Sequence, residues 1–233
     1  MSAELFVYDA DIAERFPQVR AEVLLIEGMS GDAPPGLTAD YVAVQAAVAE
    51  SLEVTPPADR PSISAWRGVF TAFGVKPTRH RNAAEALLRR LARHGDIPSI
   101  GTVVDLGNLV SISHSLPVAA IDLAGVMPPI TVRLATGGET FTGIGAHEPD
   151  DPVAGEVIFV DTGSHVAARR WCWKQSAGSA TGPATDRVLF VVEAVHDGAD
   201  SAVRAAGDQL ADLVGRHRPD ATVQRWTTAP RDV

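Results

Sequence analysis

The order in which helical and strand-like patterns follow one another constrains the fold of this chain most strongly. Three helical segments come first, over Ile63–Phe73, Ala83–His94 and Val103–Ser113. Strand-like segments follow at Ile130–Leu134, Glu139–Gly143, Glu156–Asp161, Val166–Trp173 and Arg187–His196, separated by turns rich in Gly, Pro and Asp. Runs of helices followed by runs of strands predict an α+β fold, with helices packed on one face of a largely antiparallel sheet.

The flanking regions are predicted to differ from this central part. Residues 1–58 read as an α/β extension packed on the core, with strands at Leu5–Tyr8 and Glu22–Glu27 and a helix over Ala39–Glu53. The core domain spans residues 59–218 and ends with a helix that reaches about His217. Residues 219–233 read as a loose tail.

Composition excludes several classes of protein. The chain has one cysteine, so an intrachain disulfide is impossible and a reducing cytoplasm is the expected location. Its apolar runs are too short for a membrane helix, and no membrane partner is expected. The net charge of −9 argues against a protein that coats nucleic acid, and no DNA partner is expected.

A basic segment stands out against this acidic background. Residues 60–94 carry one acid, Glu85, and eight bases: Arg60, Arg67, Lys76, Arg79, Arg81, Arg89, Arg90 and Arg93. Such a segment favours local docking of a polyanion. The alternatives are a solvated arginine face or a docking site for an acidic protein.

The run Val166–Gln175 combines three cations with two tryptophans. Arg169, Arg170 and Lys174 alternate with Trp171 and Trp173, a combination suited to a ligand with anionic and stacked parts, such as an RNA end. The alternative is a half-buried strand that turns its tryptophans inward and its arginines outward.

Motifs that would identify a cofactor or a nucleophile are missing. The sequence has no phosphate-binding G-x-x-x-x-G-K-[ST], no dinucleotide fingerprint and no G-x-S-x-G elbow. Its seven histidines are scattered, so neither a metal nor another cofactor is expected.

Two polar residues interrupt apolar segments. Glu193 follows Val188–Val192 and could point into a pocket, where it would hold an ammonium group or a water, or it could lie at the exposed end of the strand. Asn108 interrupts the apolar helix and could line a site or mark the solvent face.

An ordered series of segments resembles the aminoacyl-tRNA editing domain of the bacterial phenylalanyl-tRNA synthetase beta subunit, and especially its free-standing relatives. The segments are Ile63–Arg67, Phe73–Pro77, Glu85–Arg90, Val103–Asn108, Leu116-Pro117 with Asp122-Leu123, Gly138–Phe141, Arg169–Ser176 and Val188–Glu193. They cover about residues 60–215 in the family's order.

The resemblance implies an RNA-directed hydrolase. In the synthetase, this domain removes a wrongly attached tyrosine from the tRNA 3′ end. The implied activity is deacylation of misacylated tRNA in trans, without tRNA charging, by a site that binds the aminoacyl-tRNA 3′ end. The resemblance places Glu193 where the family has a glutamate that recognises the aminoacyl group, and Asn108 in the same cavity. For this activity we expect Glu193, Asn108 and Thr185 to be the catalytic residues, with Asn108 or Thr185 hydrogen-bonded to the ester or ribose.

The remaining roles are expectations for this activity, drawn from the chemistry of the side chains. Trp171, Trp173, Gln175, Arg169, Arg170 and Lys174 would bind substrate, and Arg67, Lys76, Arg79 and Arg81 would contact tRNA. An aminoacyl ester is labile and the neighbouring ribose hydroxyl can help to activate water, so no nucleophile triad is required.

This chain departs from the synthetase domain at two places. Ala119 stands where the synthetase has a histidine, and the segment Arg169–Lys174 replaces a glycine-rich stretch of the pocket. Tryptophans in place of glycines are expected to shrink the cavity, so tyrosine specificity does not follow. A non-catalytic module that binds tRNA, RNA or a small molecule is the alternative function.

Overall fold

The computed structural model of the protein describes residues 5–230. Strands β1 to β9 cover Phe6–Tyr8, Arg20–Glu27, Val118–Asp122, Ile130–Leu134, Val157–Val160, Val166–Arg169, Lys174–Gln175, Arg187–Ala194 and Thr222–Thr228. Helices α1 to α6 cover Ala10–Arg15, Pro35–Val54, Pro61–Ala72, Ala83–His94, Thr102–His114 and Ala199–His217, and a 3-10 turn covers Pro57–Asp59. The predicted α+β class is confirmed. No helix in the described range is both long and apolar enough to cross a bilayer.

The strands divide between two sheets, where the sequence patterns predicted one. The first has the order β1-β4-β5-β6-β7, with β1 parallel to β4 and the other pairs antiparallel. The second has the order β3-β8-β2-β9 and is antiparallel throughout. Strand β1 lies in the first sheet and β2 in the second, so the N-terminal segment is built into both sheets.

The second sheet is buried on both faces, which explains the unbroken apolar runs of β2 and β8. These strands pair from Arg20↔Ala194 to Glu27↔Arg187. One face, which includes Phe190, packs against helices α2, α4, α5 and α6. The opposite face, which includes Val191, packs against the first sheet and against Trp66 of α3.

Helix α4 begins and ends where its sequence signals predict. The Asn82 Oδ1 accepts a hydrogen bond from the backbone N–H of Glu85 at 2.9 Å, which satisfies an otherwise unpaired donor of the first turn. Gly95 ends the helix at φ +76°, a conformation that glycine adopts without a Cβ clash.

The prediction of a loose tail over 219–233 is wrong for its central part. Residues Thr222–Thr228 form β9, which pairs with β2 along the edge of the second sheet. The polar side chains of this segment gave no strand pattern in the sequence, but they suit an edge strand exposed to water. Arg225 and Thr227 also bind the buried Glu22 carboxylate. Residues 231–233 lie outside the described range.

Two other predicted strands differ from the structure. Over Glu139–Gly143 only isolated bridges form, at Thr140 and Gly143, because the Glu139 carboxylate accepts hydrogen bonds from the backbone N–H groups of residues 136–138 and curls the chain. The predicted strand Val166–Trp173 ends at Arg169, and residues 170–173 form the turn between β6 and β7.

Candidate active site

Glu193 lies in the core between the two sheets. Along β8, alternate side chains point to opposite faces, and Glu193 shares its face with Leu189 and Val191. Glu193 is only 2% exposed, so the alternative of an exposed strand end is wrong.

One oxygen of the Glu193 carboxylate is held by two donors. Its Oε1 accepts hydrogen bonds from the Tyr8 hydroxyl at 2.7 Å and from the Trp171 Nε1–H at 2.9 Å. Its Oε2 accepts none from the described residues, although Glu193 lines a cavity. Burial raises the pKa of Glu193 from 4.5 to about 7, and the hydrogen bonds from Trp171 and Tyr8 only partly oppose this effect.

The cavity beside Glu193 is small and largely apolar. Its volume is about 70 Å³. The walls come from Ala119 of β3, Phe159 of β5, Ala168 of β6 and the indole of Trp171, and Lys174 also lines the cavity. The cavity therefore combines a poorly solvated carboxylate with apolar walls, an arrangement suited to an ammonium-bearing ligand.

The turn over residues 170–173 places Trp171 against Glu193. Arg170 and Trp171 both have positive φ, at +47° and +62°, which is costly for residues with a Cβ and reverses the chain within four residues. Burial of Trp171 offsets this cost: the indole is 0% exposed and packs edge-on against Phe16 at 5.2 Å and Trp66 at 5.3 Å.

The same turn places Trp173 next to two cations, Arg170 and Lys174. The Arg170 guanidinium lies 4.4 Å from the centre of the Trp173 ring, and the Lys174 Nζ lies 5.8 Å from it. His80 packs against this ring edge-on at 4.6 Å. Trp173 is therefore a half-buried aromatic platform contacted by cations.

A basic cleft of about 430 Å³ lies next to this platform. Lys76, Arg79, His80 and Arg170 line it, and Glu156 lies in its wall. The Glu156 carboxylate is already bound by Arg169, so the exposed cations Lys76 and Arg79 face a cleft with little opposing charge. Burial lowers the pKa of His80, and the neighbouring Arg170 and Arg79 lower it further, so His80 is neutral at pH 7.

Arg169 is a structural residue. Its guanidinium binds both oxygens of Glu156 at 2.8 and 2.9 Å and also contacts Asp150, and its side chain is 2% exposed. The prediction that Arg169 binds substrate, and the alternative of arginines turned outward, are both wrong for this residue, because two carboxylates distant in sequence hold it inside.

Asn108 and Thr185 lie away from Glu193. Asn108 is on α5, which packs against the opposite face of the second sheet, and it lies beside the Tyr41 hydroxyl of α2. The Thr185 hydroxyl donates to Asp122 at 2.6 Å and accepts from the Gly182 N–H. Thr185 precedes β8, and Glu193 lies near the other end of this strand, roughly 20 Å from its first residue, Arg187. The prediction that these two residues complete the catalytic site is wrong, because sheet alternation and strand length separate them from the cavity.

Three other predicted residues have structural partners. Gln175 lines the cavity, but its Nε2 donates to the carbonyls of Ala120 and Ser179, which ties the hairpin to β3. Arg67 binds the buried Glu85 carboxylate at 2.8 Å, and Arg81 lies 3.9 Å from it. Of the four predicted tRNA contacts, Lys76 and Arg79 alone line the basic cleft.

Tyr8 is the site residue that sequence reasoning missed. It ends a short strand, and nothing in its neighbours distinguishes it from an ordinary half-buried tyrosine. Its contact with Glu193 spans 185 positions of the chain, a separation that no local pattern encodes.

Residues 65–211 match the B3/4 domain family. The chain belongs to this family. The matched region contains Glu193, the cavity walls and the turn at 170–173, whereas Tyr8 and β9 lie outside it. Of the segments that resemble the editing domain, Arg169–Ser176 and Val188–Glu193 contribute residues to the cavity, whereas Val103–Asn108 lies on the opposite face of the second sheet.

A solved structure shares the fold of the whole chain. It is an N-terminal fragment of the phenylalanyl-tRNA synthetase beta subunit from Pyrococcus horikoshii, with a TM-score of 0.50 at 12% identity. The likeness covers 96% of this chain and 53% of that fragment, so the chain spans about half the fragment's length. No curated protein matches the sequence.

Proposed function

We propose that the protein hydrolyses misacylated aminoacyl-tRNA in trans, in the cytoplasm where charged tRNAs are used. The observation that carries this proposal is a buried carboxylate with one unengaged oxygen, Glu193 Oε2, in a cavity adjoining a basic cleft. The two depressions share the turn at 170–173, so one ligand with an ammonium-bearing end and a phosphate-bearing body suits both.

The cavity supplies recognition of the aminoacyl group. Glu193 Oε2 binds the α-ammonium, an interaction that gains strength because this buried carboxylate forms no ion pair among residues 5–230. The terminal adenine stacks on the half-buried Trp173 ring together with the Arg170 guanidinium, which lies over that ring at 4.4 Å from its centre. Lys76, Arg79 and Arg170 then bind the phosphates that follow.

The chemistry is hydrolysis of an ester. A water oxygen attacks the carbonyl carbon, the bond from that carbon to the ribose oxygen breaks, and a proton moves from the water to the ribose oxygen. The adjacent ribose hydroxyl assists this transfer. Lys174 lines the cavity and pairs with no carboxylate among residues 5–230, so its ammonium stabilises the developing oxyanion.

Cys172 is not the nucleophile of this reaction. Burial raises the pKa of its thiol well above the ordinary value, and the Glu193 charge raises it further, so the reactive thiolate does not form near pH 7. Direct attack by water on a bound ester remains as the mechanism.

The Glu193→Ala variant tests this assignment. It should lose deacylation of every ester that the wild type cleaves and retain tRNA affinity, because the basic cleft is separate from the carboxylate. The measurements are the rate of ester loss from labelled aminoacyl-tRNA and the Kd for uncharged tRNA. Retained turnover in this variant would remove Glu193 from the mechanism.

A non-catalytic module that binds tRNA or a small amine is the second candidate. Ala119 favours the non-catalytic module. This residue lines the cavity at the position where the synthetase domain has a histidine, and its side chain offers no hydrogen-bond donor. Saturable binding of aminoacyl-tRNA with no acceleration of ester loss would support the module and exclude the hydrolase.

A further inference from the structure

We propose that the cavity beside Glu193 accepts an aminoacyl group with a small side chain, such as alanyl or seryl, and excludes aromatic ones, with the packed rings of Trp171 and Phe159 setting this limit. The proposal rests on the proposed binding of aminoacyl-tRNA and specifies its substrate class. It concerns what fits beside Glu193, whether or not the bound ester is cleaved.

The volume of the cavity limits the size of the aminoacyl group that fits beside Glu193. A bound water requires about 10–15 Å³ measured in the same way, so a volume of about 70 Å³ holds the equivalent of roughly five waters. An ammonium, a Cα, a carbonyl and one or two further atoms fill such a space. A phenyl or phenol ring needs as much space again.

The walls do not readily yield to a larger group. Trp171 is wedged between Phe16 and Trp66, and Phe159, 1% exposed, packs edge-on against Phe6 at 5.3 Å. Enlarging the cavity would displace fully packed aromatic rings, and a close-packed core resists such displacement.

Tyr8 determines which oxygen of the Glu193 carboxylate a ligand can bind. Its strand is held by the parallel pairing Tyr8↔Val132, and its hydroxyl occupies Oε1 together with the Trp171 N–H. A substrate phenol that needed Oε1 would compete with a phenol supplied by the protein itself. The remaining oxygen, Oε2, suits the α-ammonium. Because all aminoacyl esters carry this group, the cavity distinguishes among amino acids by the size of their side chains.

One tRNA transcript charged in turn with alanine, serine, phenylalanine or tyrosine tests this inference. The full-length protein should deacylate the alanyl or seryl ester at least about tenfold faster than either aromatic ester, the discrimination that steric exclusion readily supplies. A tyrosyl or phenylalanyl ester cleaved as fast as the small ones would overturn the inference and leave the hydrolase proposal intact.

Binding of stable analogues separates the two proposals. If no ester is cleaved, the hydrolase proposal fails, and calorimetry with alanyl- and tyrosyl-adenosine joined through a 3′ amide decides the inference alone. Binding of the alanyl analogue at least about tenfold tighter than that of the tyrosyl analogue supports it. Equal affinities, or no binding of either analogue, overturn it.

A filled cavity provides a matched control. Ala119→Leu places extra carbons in the cavity and should weaken the alanyl analogue at least about tenfold, with the Kd for uncharged tRNA unchanged. Ala177→Leu, at an exposed position of the next loop, should change neither. Unaltered binding of the alanyl analogue by Ala119→Leu would show that it does not use this cavity.

Discussion

Replacing Glu193 by glutamine should stabilise the protein, and the gain should grow with pH. The glutamine oxygen can keep the hydrogen bonds from Tyr8 and Trp171, while its amide carries no charge that must be desolvated. Glu193→Gln therefore removes one cost, the ionisation of a carboxylate that is 2% exposed.

The magnitude follows from the pKa of Glu193, which burial raises from 4.5 to about 7. The folded protein holds its proton more tightly than the unfolded chain, so the wild-type free energy of unfolding falls as pH rises from 4.5 through 7. A difference of about 2.5 pKa units corresponds to about 3 kcal/mol at pH values above 7, of which about 1 kcal/mol develops between pH 6 and 8. The free energy of unfolding of the glutamine variant does not fall in this way, because its amide does not ionise.

Urea unfolding of both proteins at pH 6, 7 and 8 measures the effect. The advantage of Glu193→Gln should increase by about 1 kcal/mol across this range. Glu148→Gln, at an exposed position, is the control and should show no such trend. An advantage for Glu193→Gln that stays constant with pH would refute the reasoning that the Glu193 carboxylate is desolvated in the folded state.

The remaining predictions concern binding, catalysis and the residues that the structure separates from the site. Deacylation, corrected for spontaneous ester loss, should rise as pH increases through about 7, because the ammonium binds only ionised Glu193; a flat kcat/KM between pH 6 and 8 would contradict this. Arg170→Ala should weaken tRNA binding and reduce the salt dependence of the Kd by about one phosphate contact, whereas Arg204→Ala, at an exposed position on α6, should do neither; equal effects of the two would exclude the cleft. Thr185→Ala should lower the free energy of unfolding by about 1 kcal/mol through loss of its hydrogen bond to Asp122, and it should leave the deacylation rate unchanged. A loss of turnover in a variant that is still folded would show that Thr185 takes part in catalysis.

Local signals were sufficient for much of the fold. Asn82 and Gly95 delimit α4 because an N-cap side chain and a left-handed C-cap are contacts within one turn of chain. The apolar run Val188–Val192 predicted the buried strand β8, because hydrophobicity along one segment is also a local property of the sequence. Strand β9 was missed because Thr222–Thr228 is a mostly polar edge strand, stabilised by β2 about two hundred positions earlier.

The site was predictable only in part. The position of Glu193 in the wall of a cavity was predictable because an acid on an apolar strand has few explanations other than a pocket. The turn at Arg170 and Trp171 has no glycine or asparagine to announce its positive φ values, since tertiary burial of the indole stabilises it. Arg169 was misread for the same reason: Glu156 and Asp150, which neutralise it, lie outside the segment that carries the arginine.

The central claim is that Glu193 serves an aminoacyl-tRNA hydrolase, and one measurement tests it most directly. The loss of ester from a set of individually mischarged tRNAs is followed with wild-type protein, with Glu193→Gln and without protein. We predict that the wild type accelerates the loss of at least one ester above its spontaneous rate and that Glu193→Gln, still folded and still binding tRNA, does not. No acceleration of any ester by the wild type, or equal acceleration by the variant, would contradict the claim.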